Sequence, residues 1–398
     1  MKMAYDNDQQ LYPNGSVDDM CSLESYILER DTVSVNLDEI FSYLSDRVIL
    51  VTGGGGSIGS ELCRQIAKGV PRQLIIFDIY ENNAYDIEQE LRAMHPGLNL
   101  TVLIGSVRDL KRLNSIFEKY CPEIVFHAAA HKHVPLMEAS PDEAVKNNVM
   151  GTYYTACAAL AFHCRRFILV STDKACEPQS AMGASKRICE MIMSALNLMR
   201  VTQRDDSEVS PLPFDIFPRW RISRGLCTDF IAVRFGNVVG SNGSIVPLFL
   251  KQIAVGGPVT VTHPEATRYF MTISEAVSLI LQASAFARKG EIYALDMGTP
   301  LKIDSIARKV IRFQGYCPDA DIPIVYVGLR EGDRLSEIDL MKSADLIPTE
   351  SSHIYAYPAS SINADAFFRD LQDLIAAVDS NRDLCSMMFD IIRTYNPA

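Results

Sequence analysis

Val48–Gly59 reads VILVTGGGGSIG and runs on as SELCRQIAK to Lys68. Apolar and β-branched residues lead into Gly53-x-x-Gly56-x-x-Gly59, and from Ser57 the apolar positions recur at helical spacing. The order is strand, tight glycine turn, helix, which opens a dinucleotide-binding βαβ unit. A side chain on these glycines would block the approach of the backbone to a pyrophosphate, whose charge the helix N-terminal amides then meet. A glycine run alone fits an ordinary flexible turn as well. Its register with the next run is more telling, because Gln73–Asp78 (QLIIFD) ends on a carboxylate 19 residues beyond Gly59. An acid there hydrogen-bonds the adenosine ribose and repels a 2′-phosphate, so Asp78 favours NAD over NADP.

With 398 residues the chain buries a large core and divides into two lobes rather than forming one small domain. Its 48% hydrophobic and 22% charged residues are those of a soluble globular protein. A net charge of −11 excludes a nucleic-acid or anionic-membrane surface, both of which need a basic footprint. Ten cysteines are scattered without a C-x-x-C pair, and the seven histidines include no HExxH, so neither a metal site nor a disulfide framework is expected. The polar N-terminus lacks the apolar core of a signal peptide, and no run reaches the roughly 18 apolar residues of a membrane span. The expectation is a cytoplasmic protein with reduced thiols and no integral membrane segment.

Along the chain, apolar runs (VILVT, QLIIFD, LTVLIG, EIVFHAAA, RFILVST, DFIAVRFG, EIYALDMG) alternate with helical patterns. Such alternation predicts an α/β fold, a doubly wound parallel sheet of the Rossmann type, with ligands at the carboxyl ends of its strands. Four segments are expected. Residues 1–45 are a disordered start followed by one or two short helices, and 46–240 are the dinucleotide domain. Residues 241–357 form a smaller substrate lobe interleaved with the last strands, and 358–398 form a helical tail docked by its apolar face. Within the second segment, residues 200–227 carry three prolines, mixed charges and the single tryptophan, and read as a surface insertion.

The run RFILVST delivers Ser171, Thr172, Asp173 and Lys174 to the ligand edge, and a helix resumes near Met182 with MGASKRICEMI. Met182 and Lys186 are one helical turn apart and share a face. Short-chain dehydrogenases carry tyrosine and lysine at that spacing, the tyrosine acting as a base and the lysine lowering its pKa. Methionine cannot transfer a proton. Either the fold only binds NAD, or acid-base work has moved to Asp173 and Lys174, a pair that elsewhere is an ordinary solvated turn.

TGGGGSIGSELCRQI, HAAAHKHVPLME, NNVMGT, STDKA, MGASKR, VRFGNVVGSNGSIVPLF, PVTVTHPEATRYFMTISEAV and YALDMG, in this order, resemble the nucleoside-diphosphate-sugar 4,6-dehydratases of the capsule-polysaccharide type, in the extended short-chain dehydrogenase superfamily. The resemblance spans about residues 30–355. It implies NAD as a prosthetic group, a UDP-sugar substrate (commonly UDP-N-acetylglucosamine) and a homo-oligomer built on the helices of the dinucleotide domain. Large members carry an N-terminal membrane region, and this chain resembles a soluble, shortened form.

By this resemblance Gly53, Gly56, Ser57, Ile58 and Gly59 line the pyrophosphate, Asp78 meets the adenosine ribose, Ala128 and Ala129 form the dinucleotide face, and Lys186 holds the nicotinamide ribose. Thr172, Asp173 and Lys174 match the catalytic Thr-Asp-Lys, and Met182 matches a branch of the family. Lys132 and His133 approach the sugar, Asn237 and Lys251 the diphosphate and nucleotide, Val261 and Thr262 the uracil, and Arg268 a phosphate. Where the family shows Leu-Arg-Pro-Gly-Glu-Lys, this chain has Leu329-Arg330-Glu331-Gly332-Asp333-Arg334, so Arg330 still meets the diphosphate from a loop without its rigid proline.

The reaction implied is oxidation at C4, loss of water across C5 and C6, and return of the hydride to C6. Lys174 is the candidate to remove H5 and Asp173 to protonate the leaving hydroxyl, as a coupled pair whose roles are exchangeable. Retention at C5 is expected, with inversion as the alternative. A UDP-sugar C4-epimerase and a non-enzymatic NAD-binding scaffold are the rivals.

Overall fold

A computed structural model of the chain describes residues 17–30, 33, 35–202, 228–287, 290–343, 345–358, 362–380 and 382–395. Most of the expected insertion at 200–227, and the start of the chain expected to be disordered, lie outside them.

Six parallel strands, β1 (Val48–Thr52), β2 (Gln73–Asp78), β3 (Leu100–Ile104), β4 (Ile124–His127), β5 (Arg166–Val170) and β6 (Asp229–Arg234), lie in the order β3-β2-β1-β4-β5-β6. Ile292–Leu295 continues the sheet in parallel beside β6, and Ile354–Tyr357 and Ile347–Pro348 close that edge, the first antiparallel to its neighbour. The strand order reverses between β1 and β4, and the crevice at their carboxyl ends is where ligands bind in such sheets.

The strands are buried because both faces are covered, and their side chains divide with period two. Leu50, Ile75, Phe77, Val125, Phe167, Leu169 and Phe230 enter one core, while Ile49, Val51, Leu74, Ile76, Phe126, Ile168 and Ile231 enter the other. The helices Leu110–Tyr120, Gly151–Ala161 and Ala181–Thr202 pack on the first face, and Leu37–Leu44, Ser57–Lys68 and Ile273–Phe286 on the second. A third core joins Leu23 and Ile27 of the first helix (Val17–Leu28) to Phe249, Ile253, Val259, Ile306 and Val310. Two helices form in this N-terminal stretch, and they serve different cores.

The helical tail docks by its apolar face as its pattern predicts. Phe367, Phe368, Leu371 and Leu374 of Ala364–Ala376, and Met388, Ile391 and Ile392 of Leu384–Tyr395, complete the first core. Both helices lie against Ala181–Thr202. A homo-oligomer built on the helices of this domain has to leave that side of the long helix aside.

Candidate active site

The turn after β1 is shaped by the absence of side chains. Gly53 has φ +69°, and a Cβ there would lie 2.6 Å from the backbone nitrogen of Ala129; a Cβ on Gly59 would lie 1.9 Å from Gly53 O. Neither position admits any other residue without moving backbone. Gly56 precedes the helix Ser57–Lys68 and supplies no side-chain cap, so first-turn N–H groups face the cleft lined by Ser57, Ile58 and Gly59. Asp78, at the end of β2, accepts hydrogen bonds from the N–H groups of Gly55 (2.8 Å) and Tyr80 (2.8 Å), which fixes its carboxylate beside the turn. A cradle that excludes Cβ atoms, a helix N-terminus and an anchored acid fit the pyrophosphate and adenosine ribose of NAD.

The cleft measures about 660 Å³ and runs from this turn along the strand ends. Gly53, Gly56, Ser57, Ile58, Gly59, Ala128, Lys132, His133, Thr172, Lys174, Met182, Lys186 and Asn237 all line it. The loop Ala128–His133 is held by Asn148, whose amide accepts from His131 N (2.8 Å) and donates to His131 O (3.0 Å) and to Ser185 Oγ (3.0 Å). Asn148 lies in a π-helical turn, Ala144–Met150, a distortion that commonly marks functional sites. On the opposite wall, Asn242 N donates to Ser57 Oγ (3.0 Å) and so bridges the glycine turn. Burial pushes the Lys132 ammonium and the His133 imidazole below their ordinary pKa values, His133 also through the nearby charges of Lys132 and Arg330.

At the end of β5, Thr172 Oγ1 donates to Asp173 Oδ1 (2.8 Å). Lys174 Nζ donates to Asp173 Oδ1 (3.0 Å) and Asn237 Oδ1 (3.2 Å), and lies 3.2 Å from Glu337 Oε1. Burial by itself lowers the pKa of Lys174, but the Asp173 and Glu337 carboxylates outweigh it and raise the value, so the resting group is an ammonium. Lys174 and Asp173 thus form one directly hydrogen-bonded pair at the strand end.

Lys186 is buried, donates to Val170 O (2.7 Å), and has its pKa lowered chiefly by burial. Met182 packs with Met137 and Ala144 and presents no titratable group to the cleft. Beneath the strand end, Glu190 accepts from Ser171 Oγ (2.7 Å), from Arg234 Nε and Nη2 (both 2.7 Å) and from Arg187 Nη1 (3.0 Å). Burial would raise its pKa, but these partners hold it at about 2. The network locks β5, β6 and the long helix under the reacting groups.

Asp173 is buried behind Lys174 and does not itself line the cleft, and other expected residues do not meet it either. Ala129 backs the glycine turn through its backbone. Val261 is a core residue and Lys251 is exposed on its helix, with Thr262 half-buried beyond the strand. Arg268 is engaged by Thr267 O (2.7 Å), Arg334 O (2.7 Å) and Glu337 (3.0 Å), and Arg330 pairs with Asp333 (2.9 Å) at the surface. Asn148, Glu190 and Glu337 escaped the sequence reading. NNVMGT and MGASKR-I-C-E are visible blocks, yet nothing in them says which polar member turns inward, and Glu337 meets Lys174 only through the fold.

The sequence model of the family described as "Polysaccharide biosynthesis protein" matches residues 49–359. The chain is 44% identical to the Staphylococcus aureus "Capsular polysaccharide biosynthesis protein CapD" over 81% of its own length and 50% of that protein's. It thus spans about half the length of such a relative. It is 30% identical to the Rickettsia akari "UDP-glucose 4-epimerase", covering 76% of this chain and 81% of that one. Among solved structures, Pen from Bacillus thuringiensis superimposes with a TM-score of 0.66 at 28% identity, covering 80% of this chain and 90% of the other.

Proposed function

This chain belongs to the polysaccharide biosynthesis protein family, with an extended short-chain dehydrogenase fold, and on that footing we propose that it is an NAD-dependent 4,6-dehydratase of UDP-N-acetylglucosamine. The product is the UDP-4-keto-6-deoxy sugar, with C5 retained. The observation that carries this reading is the pairing of Asp173 and Lys174 at the strand end, opposite a methionine where a proton-transferring tyrosine would stand.

NAD, when bound, supplies the acceptor for hydride from C4 and returns that hydride to C6. Gly53, Gly56, Ser57, Ile58 and Gly59 hold its pyrophosphate, Asp78 the adenosine ribose, Ala128 and Ala129 its face, and Lys186 the nicotinamide ribose. Once C4 is a ketone, H5 is acidic. The Asp173–Lys174 pair takes H5 as a proton and, as the C6–O bond breaks, gives a proton to the leaving oxygen to make water, the two roles being exchangeable between its members. Proton transfer across the 3.0 Å contact between them restores both groups. Lys132 and His133 meet the sugar and Asn237 the diphosphate side, while Arg268 and Arg330 are engaged away from the cleft.

The second reading, a UDP-sugar 4-epimerase, is favoured by the relative of that name, which this chain covers over 81% of its length. Incubation with UDP-N-acetylglucosamine, followed by mass spectrometry of the nucleotide, separates the two. Loss of one water is expected. An isomer of unchanged mass supports the epimerase, and recovery of unaltered substrate leaves a binding scaffold.

A further inference from the structure

Glu337 lies outside every motif singled out in the sequence. Its side chain is 2% exposed, and Oε1 lies 3.2 Å from Lys174 Nζ and 3.0 Å from Arg268 Nε. Its other oxygen is buried with no partner among the described residues. The segment is fastened in place: Arg268 donates to Arg334 O (2.7 Å) and Leu335 O (3.2 Å), Thr267 N to Leu335 O (2.9 Å), and Arg334 to Glu177 O. Asp173, Lys174, Glu337 and Arg268 thus form a row of alternating charge with no net excess. A carboxylate is retained at such depth only when paired.

We propose that Glu337 is a positioning residue for the dehydration: wedged between Lys174 and Arg268, it sets the direction of the Lys174 amine and ties the proton-transfer pair to Arg268. The proposal rests on the reading of Asp173 and Lys174 as that pair. The Lys174 ammonium donates to Asp173 and Asn237 and is ion-paired with Glu337 at 3.2 Å, so carboxylates hold it from two sides while the Asn237 contact faces the cleft. The charged groups around Lys174 are Asp173 and Glu337, which favour the ammonium, and Arg268, which opposes it. Asp333 and Arg334 line the small cavity of about 30 Å³ beside Glu337 and complete the set.

The test is the pH dependence of Lys174 labelling by acetic anhydride in the ligand-free protein, followed by peptide mass spectrometry. Glu337→Gln removes one of two carboxylates and should leave about tenfold or more free amine at a fixed pH, that is, a pKa lower by a unit or more. Glu337→Asp should restore part of the parent behaviour, and Arg268→Gln should shift labelling the opposite way, which also carries the test should Glu337→Gln not fold. In turnover, the alkaline limb of kcat should move to lower pH in Glu337→Gln, with KM nearly unchanged. Labelling that matches the parent in a folded Glu337→Gln protein overturns the proposal, as does a lower kcat with an unmoved pH profile. If labelling shifts as expected but UDP-N-acetylglucosamine is not dehydrated by the parent, the functional reading fails and the placement of Glu337 stands.

Discussion

Glu190→Gln isolates the buried network beneath the reacting strand end. The parent carboxylate is fully buried and paired with two guanidiniums, and its pKa is held at about 2 against an ordinary 4.5. A shift of that size corresponds to on the order of 3 kcal/mol of stability, at about 1.4 kcal/mol per unit. Glutamine imitates the protonated acid and removes the charge that Arg187 and Arg234 meet on this side, a change that typically costs about 3–5 kcal/mol. With an unfolding entropy of about 2.1 cal/mol/K per residue, the loss lowers Tm by about 4–6 °C. Because the folded pKa is depressed, the stabilisation is complete above the unfolded value and is lost as pH falls toward the folded one. The gap between parent and variant should therefore be full at pH 7 and roughly halved by about pH 3. Differential scanning calorimetry across that range measures it. A variant melting within about 1 °C of the parent at pH 7, or a gap that does not shrink on acidification, refutes the reasoning.

Three further outcomes concern the site. Gly59→Ala places a Cβ 1.9 Å from Gly53 O and should abolish NAD binding by calorimetry, so an unchanged affinity removes the cradle. The parent should bind NAD far more tightly than NADP, and Asp78→Ala should narrow that gap about tenfold or more while loosening the turn through Gly55 and Tyr80; equal affinities in the parent would sink the assignment. Lys174→Ala and Asp173→Asn should each lower turnover by about 10²–10⁴ and stop exchange of H5 with solvent deuterium, with Met182→Ala milder; near-normal dehydration in Lys174→Ala would show that the pair is not the proton-transfer unit.

The glycine turn, Asp78 and the alternating runs were legible in the order of residues because their meaning is local. A glycine spacing reports what a backbone must approach, and period-two burial reports a sheet covered on both faces. Hence VILVT and QLIIFD predict β1 and β2 together with the phosphate cradle, and the tail's apolar spacing predicts helices that dock. The protonation of Lys174 is not local. It depends on Glu337, brought from the far end of the chain by the packing of Arg268 and the 330–337 segment, and on the depth at which those charges meet. The same holds for Glu190, whose role appears only when β5, β6 and the long helix converge, and for Asn148, turned inward by a π-helical turn. The balance of buried charge around Lys174 was decided by tertiary structure alone, because electrostatic energy depends on distance and burial and not on order along the chain.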